Sequence, residues 1–283
     1  MQMKQSIAVL VNPLGNKKRT GKIAAGIVDG LSQRKIPFEI FDANWPAAIE
    51  QYLEAWIVGG DGTLNFFLNF YNNPTLPLVI FKGGTGNDFS TKLYGKRTVK
   101  QQVETVLAAD SRRVDAAECN GQKFINGVGI GFDGEVLRSI RSIRSVGGHL
   151  GYLSIVLRKI FSFKESRFQI QCGGETLDDK FLLVMVTNST TTGGGFMVSP
   201  EAKIDDGKLN MVLCKPLPVL KRLHNLPKIE KGKHLSKAFI LHQEINSIRI
   251  ECEKETPAQI DGELVHSKIF DIRILPGYCQ FKY

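Results

Sequence analysis

The chain has 283 residues, 42% of them hydrophobic and 23% charged, with 37 Lys and Arg against 28 Asp and Glu, for a formal net charge of +9. This is the balance of a folded globular protein of one large or two medium domains, and it excludes disordered and fibrous classes. The longest apolar run, Phe181 to Val186, is far short of the ~18 residues a membrane-spanning helix needs and reads as one buried strand.

Taken from the N-terminus, Ser6 to Val11 predicts a strand. Its apolar stretch is too short for a secretory leader and has no small-residue cleavage site, so the expected location is the cytoplasm. The strand runs into a polar turn, Asn12-Pro13-Leu14-Gly15-Asn16, followed by Lys17, Lys18, Arg19 and Lys22, cations placed to meet phosphate charge. Further strands are predicted at Phe38 to Phe41, Trp56 to Val58 and Leu78 to Phe81, with helix-like segments between them. Such alternation is the signature of βαβ units, hence a parallel sheet with helices on both faces and ligands at the carboxyl ends of its strands.

Two of these strands end in glycine-rich loops. Gly59-Gly60-Asp61-Gly62-Thr63 leads into a helix with Leu64, Phe67, Leu68 and Tyr71 on one face, and Lys82-Gly83-Gly84-Thr85-Gly86-Asn87-Asp88 follows the next strand. Glycines let backbone approach a ligand closely, and the N–H groups of a helix start suit phosphate. Asp61 is an acid where phosphate is expected. It makes sense if engaged with a metal, an ordered water or a ligand hydroxyl, since a bare carboxylate would repel the phosphate. No GxxxxGK[ST] occurs, so this is not a P-loop.

Beyond Cys119 the texture becomes short β-rich runs: Lys123 to Asn126, Phe168 to Cys172, Phe181 to Thr187, Lys208 to Leu213, Ile248 to Glu251 and Ile269 to Leu275. These predict an antiparallel sandwich or barrel, interrupted by one amphipathic helical stretch from about Val136 to Phe161. Five scattered cysteines without CxxC or zinc spacing read as reduced, mostly buried thiols, and the histidines show no triad or metal spacing.

The combination of the Asn12-Pro13 turn, GGDGT at 59 to 63 and GTGNDF at 84 to 89 resembles the diacylglycerol kinase catalytic family, which includes bacterial lipid kinases and sphingosine kinases. The resemblance continues through Asn126 to Gly134, Gly193 to Gly195, Ala202 to Lys208 and Asp261-Gly262-Glu263, so it covers nearly the whole chain. It implies an α/β nucleotide-binding domain over 1–116, rejoined by the tail 276–283, a β-rich lipid-substrate domain over 117–275, and an active site between them. Carried over, Asn12 would contact ATP, Gly59, Gly60, Asp61, Gly62, Thr63 and Asn65 would line the phosphate site, and Thr85 and Asn87 would complete it. Asp88 matches an aspartate of a magnesium and water network. Mg²⁺ itself would sit on the Asp206 carboxylate beside the Lys203 and Lys208 carbonyls, hard oxygen donors that suit it; a hairpin turn is the structural reading of Asp205-Asp206-Gly207. Two departures stand out: Lys82-Gly83 where relatives read Pro-Leu, which adds a cation near the nucleotide, and Leu14-Gly15 where Ser-Gly is usual.

Phosphoryl transfer to an alcohol needs a carboxylate to take the hydroxyl proton. The candidates are Asp61, Asp261 and Glu263; the resemblance places the base in the Asp-Gly-Glu triplet, with Glu263 favoured over Asp261. In an extended strand the two carboxylates would share a face, whereas a turn at Gly262 would let them diverge.

The positive charge is uneven. Arg138, Arg141 and Arg144 recur every third residue beside Leu137, Ile140 and Ile143, giving a helix a basic stripe next to an apolar one, suited to anionic headgroups or simply to solvent. No nucleic-acid-binding motif accompanies the charge. The expectation is an ATP- and Mg²⁺-dependent lipid kinase, cytoplasmic and peripherally associated with the membrane that holds its lipid substrate, with a homodimer left open. Its rivals are a kinase for a soluble substrate, of the NAD kinase or phosphofructokinase sort, and a catalytically silent basic binding protein.

Overall fold

Apolar strands that are buried along their whole length must have both faces covered, and the N-terminal third of the chain is built on such strands. In the computed structural model, which describes residues 6–142 and 148–283, β1 (Ile7–Val11) is followed by α1 (Lys17–Ser32), β2 (Phe38–Phe41), β3 (Glu54–Gly59), α2 (Asp61–Phe70), β4 (Pro77–Lys82), α3 (Asp88–Tyr94) and α4 (Val99–Ala108). The chain divides into two compact units, one running up to Asp115 and including Gly277–Tyr283, the other Ala116–Pro276.

The first unit is a parallel sheet in the order β4, β3, β1, β2, to which Gln280 and Phe281 add a further parallel strand beside β4. Because the chain steps to one side of β1 for β2 and to the other for β3, the sheet reverses direction between β1 and β3, and a crevice opens at their carboxyl ends. The Asn12 turn and the Asp61 loop are at those ends. Helix α1 packs on α4 through bare glycine: a Cβ on Gly30 would approach Val103 Cγ1 to 2.9 Å, and one on Gly26 would approach Val99 Cγ1 to 3.1 Å.

The second unit contains β5 (Ser111–Cys119), which enters it from the first, then β6 (Gln122–Phe124), β7 (Gly127–Gly131), α5 (Phe132–Ser142), α6 (Gly148–Ser162), β8 (Ser166–Cys172), β9 (Glu175–Phe181) and β10 (Leu183–Thr187). It continues with β11 (Leu209–Cys214), α7 (Val219–Glu230), β12 (Ile240–Ile245), β13 (Ser247–Ile260) and β14 (Glu263–Lys282), whose end returns to the first unit. Its main sheet is antiparallel in the order β12, β11, β10, β7, β13, β14. A register shift between Glu251 and Thr256 lets the first half of β13 pair with β8 and its second half with β7. One strand thereby serves two sheet directions, as irregularities in β pairing commonly allow. The core between them holds Phe124, Phe168, Phe181, Ile250 and Phe270.

Three predicted elements take a different form. The single helical stretch from Val136 to Phe161 is two helices, α5 and α6, with 143–147 outside the described residues. The apolar run Phe181 to Val186 is divided between β9 and β10, because Leu182 leaves the ladder to bond the Cys214 carbonyl at 2.8 Å while Phe181 and Leu182 enter separate apolar clusters. The strand expected over Lys123 to Asn126 ends at Phe124, since the next backbone amides turn to a carboxylate described below. Helix α7, in a segment for which the sequence predicts no element, carries Pro227.

All five cysteines are free thiols; burial pushes those of Cys119 and Cys214 up to about 12, so they are inert. Among the described residues no helix is long and apolar enough to cross a membrane.

Candidate active site

In the first unit three loops meet at the strand ends, and hydrogen bonds fix them to one another. Asn12 Nδ2 donates to Thr63 Oγ1 at 2.8 Å, and Asn12 Oδ1 accepts the Leu14 amide at 2.9 Å, which shapes the Asn-Pro turn without the usual Ser-Gly. Thr63 is 7% exposed and folds back over Gly59, where a Cβ would lie 2.3 Å from its hydroxyl oxygen. Gly60 and Gly84 face each other so closely that a Cβ on either would come within 3 Å of the other's backbone (2.9 and 2.5 Å to Cα). Much of the glycine content therefore serves the packing of loop on loop. Gly62 alone of the GGDG glycines faces open space, at the start of a ten-residue helix whose N-cap Gly60 offers no side-chain acceptor. The Asp61 and Thr63 amides are taken by the Gly86 and Gly60 carbonyls, so it is the Gly62 backbone and the positive end of α2 that fit a phosphate there.

Asp61 points elsewhere. Its carboxylate accepts the amides of Asp88 (2.8 Å) and Phe89 (3.1 Å), capping α3, while its own amide donates to the Gly86 carbonyl at 3.2 Å. An acid inside a phosphate loop is thus compatible with phosphate binding, because its charge is spent on a second helix start. Asp61→Asn is expected to lose about 1 kcal/mol of stability through this cap. Turnover should fall by about a hundredfold if the carboxylate also organises phosphate charge. Steady-state kinetics beside a thermal melt separates the two; near-normal turnover would reduce Asp61 to loop architecture.

Asn87 staples its own loop, donating to the Gly84 carbonyl (2.7 Å) and accepting the Gly84 amide (3.1 Å). Thr85 is exposed at the loop tip, Asp88 is half-buried at the first position of α3, and Asn65 is buried in α2, its carbonyl accepting from Asn69 at 2.9 Å. The extra cation Lys82 does not reach toward phosphate: its ammonium bonds the Gly95 carbonyl at the end of α3, and burial lowers its pKa. Arg19 likewise ties the Lys82 carbonyl at 3.0 Å, whereas Lys17, Lys18 and Lys22 are exposed around the start of α1.

In the second unit the Asp-Gly-Glu triplet forms the two-residue turn of the β13–β14 hairpin, with Ile260 opposite Glu263 and positive φ at Asp261 (46°) and Gly262 (85°). That turn matches the twist of the strands and favours Asp-Gly at its centre. The two carboxylates diverge. Asp261 is 7% exposed, and its oxygens accept the amides of Ile125 (2.7 Å), Asn126 (2.9 Å) and Gly127 (2.9 Å). Glu263 is exposed.

The segment before β11 turns at Gly207 (φ 72°), and Asp206 Oδ1 accepts the Lys208 amide at 3.1 Å, an Asx turn. Lys203 and Lys208 are exposed, and the Lys208 ammonium pairs with Glu244. Among the described residues no group of three or more His, Cys, Asp or Glu is placed to hold a metal, so Mg²⁺ here would rest on one carboxylate, backbone carbonyls and retained waters, a hard donor set that suits it.

Beneath α5, α6 and α7 lies a cavity of about 90 Å³ with an almost wholly apolar lining that includes Val156, Leu183, Met185, Phe196 and Phe239. Two charged residues reach it. Arg222 has its guanidinium engaged by the carbonyls of Leu217, Ile160 and Phe163 and by Glu165, which joins α6 to α7. Asp133 lies against Gly129, where a Cβ would be 2.3 Å from its Oδ2. Sequence reasoning misses both the cavity and Asp133, whose one signal is its place inside the Asn126 to Gly134 segment.

The expected basic stripe is less free than its spacing suggests. Arg138 pairs with Glu135 at 2.8 Å, and Lys159 pairs with the same carboxylate at 2.8 Å. Burial would raise the Glu135 pKa, but the Lys159 hydrogen bond and both cations outweigh it and hold the group below the usual range. Arg144 lies outside the described residues, as does the side chain of Arg141.

Residues 6–119 match the family model of the diacylglycerol kinase catalytic domain, and residues 126–281 match that of the YegS C-terminal NAD kinase beta sandwich-like domain. The diacylglycerol kinase of Bacillus subtilis (strain 168) is 25% identical over 223 residues, 77% of this chain and 73% of that protein. A Shewanella frigidimarina protein named as a probable lipid kinase, YegS-like, is 27% identical over 231 residues, 80% of this chain and 74% of its own. Among solved structures, a candidate diacylglycerol kinase from Bacillus anthracis (strain Sterne) superposes with a TM-score of 0.79 at 26% identity, covering 100% of this chain and 98% of that one. An Archaeoglobus fulgidus NAD kinase in complex with ATP shares the fold, with a TM-score of 0.56 at 14% identity over 98% of this chain and 93% of its own.

Proposed function

We propose that this chain, which belongs through residues 126–281 to the YegS C-terminal NAD kinase beta sandwich-like domain family and matches the diacylglycerol kinase catalytic domain over residues 6–119, transfers the γ-phosphoryl group of ATP to a hydroxyl of diacylglycerol, a sphingoid base or a related lipid. The observation that carries the lipid reading is the apolar cavity of the second unit. A nicotinamide dinucleotide has no chain to bury there, whereas each methylene of a lipid tail moved out of water contributes about 0.8 kcal/mol. Asp133 gives the lining an acceptor for a polar group of the lipid.

ATP phosphates are held at the positive end of α2, where Gly62 leaves the approach to its backbone open and Asn12, Thr63 and Thr85 shape the loops around them. Glu263 takes the acceptor hydroxyl proton as that oxygen bonds to the γ-phosphorus; the bond from phosphorus to the bridging oxygen breaks and ADP leaves with its electron pair. Asp261, with both oxygens committed to backbone amides, holds the turn that presents Glu263. Asp206 with the Lys203 and Lys208 carbonyls would hold Mg²⁺, which when bound supplies neutralising charge to a phosphate-rich site. The enzyme works at the membrane surface that carries its substrate.

Incubation with γ-labelled ATP and a total lipid extract, followed by mass analysis, is expected to place label on a lipid hydroxyl. Label on NAD instead would establish the soluble-substrate alternative, and no lipid product would overturn the proposal. Asp206→Ala is expected to raise the magnesium concentration for half-maximal activity by about tenfold or more; superimposable magnesium titrations would remove Asp206 from the site.

A further inference from the structure

Strand β13 alternates, sending Ala258 and Ile260 into the core, so Gln259 between them emerges on the opposite face, paired in register with Gly129 of β7. Gly129 in turn faces Met185, which lines the apolar cavity. Gln259 is 4% exposed, and an amide buried that deeply needs partners. It finds one at each end. Oε1 accepts the Gly262 amide at 2.8 Å, inside the turn that precedes Glu263, and Nε2 donates to Thr192 Oγ1 at 3.4 Å.

Thr192 opens a tight hairpin closed by reciprocal backbone bonds with Phe196 at 3.0 and 3.1 Å. The hairpin turns through Gly193, Gly194 and Gly195, all at positive φ, with no atom close enough to Gly194 or Gly195 to exclude a side chain. Glycine is required there for backbone conformation alone. Thr192, Gly193 and Phe196 line the cavity. Gln259 therefore joins the wall of the cavity to the turn that carries Glu263.

We propose that Gln259 is a positioning residue for phosphoryl transfer, registering the Glu263 turn against the wall of the lipid cavity so that a chain seated there presents its hydroxyl to the base; the inference rests on the lipid-kinase reading above. Both amide atoms are needed. Leucine fills the volume with neither bond, and asparagine is one methylene too short to span the two partners. On the other side, Thr192→Val keeps the shape of the cavity wall and removes only the acceptor.

The test measures binding of cis-parinaric acid, by its fluorescence on burial, and kcat and KM for a short-chain diacylglycerol. It uses the wild type, Gln259→Leu, Thr192→Val and the double variant, with thermal melts alongside. Each single variant is expected to lose about tenfold in kcat, since small misplacements of reacting groups are costly, with probe affinity and lipid KM within about twofold of wild type. The double variant should be no worse than the poorer single one, because both interrupt one link. Unchanged kcat, additive losses, or a rise in KM alone would each overturn the proposal. A wild type that binds no probe and phosphorylates no lipid would instead refute the lipid reading, and this inference with it.

Discussion

Replacing Glu263 by Gln is expected to lower turnover by about 10² to 10⁴-fold, the range attributed to a positioned general base. The side chain is exposed at the first position of β14, and its isosteric amide removes a proton acceptor without removing volume. Stability should change by no more than about 0.5 kcal/mol, as for most surface substitutions. KM for ATP is expected to stay close to wild type, because no loop of the first unit is altered. Steady-state kinetics with a denaturation curve decides it: a variant within about threefold of wild-type turnover would free Glu263 from the role of base and return the search to Asp61.

Asp261→Ala is expected to behave in the opposite way. It strips the acceptor from three backbone amides, those of Ile125, Asn126 and Gly127, all buried. A buried donor left without a partner costs about 1 to 3 kcal/mol, so the loss should be roughly 3 to 5 kcal/mol even if water reaches one of them. Alanine must also adopt the positive φ of 46° that aspartate tolerates. Asp261→Asn retains an acceptor oxygen and tolerates that conformation, and is expected to lose roughly half as much. Below the melting temperature the asparagine variant should keep turnover per folded molecule within about threefold of wild type, because its residue holds the turn and takes no proton. A stable Asp261→Asn protein with turnover reduced by a hundredfold would reverse the roles of the two acids.

The sequence by itself determined the features that local backbone chemistry controls. Short apolar strands leading into glycine, at Val58-Gly59-Gly60 and Phe81-Lys82-Gly83, led to a parallel sheet with loops at its carboxyl ends, and Asp261-Gly262 specified a tight turn. In each case a few adjacent residues restrict φ and ψ, so the information is legible within a short window. What the charged side chains bond to was decided by tertiary structure. Asp61 meets amides 27 and 28 positions away, Asp261 meets amides 134 to 136 positions away, and Arg222 reaches carbonyls 59 and 62 positions back. No periodicity encodes such pairs, because they depend on which strands become neighbours. The division of Phe181 to Val186 between two strands is of the same kind: six apolar residues look alike until two separate clusters claim Phe181 and Leu182. The apolar cavity is lined from Phe132 to Phe239, by side chains that are generic in sequence and become a pocket only when helices and sheet enclose them.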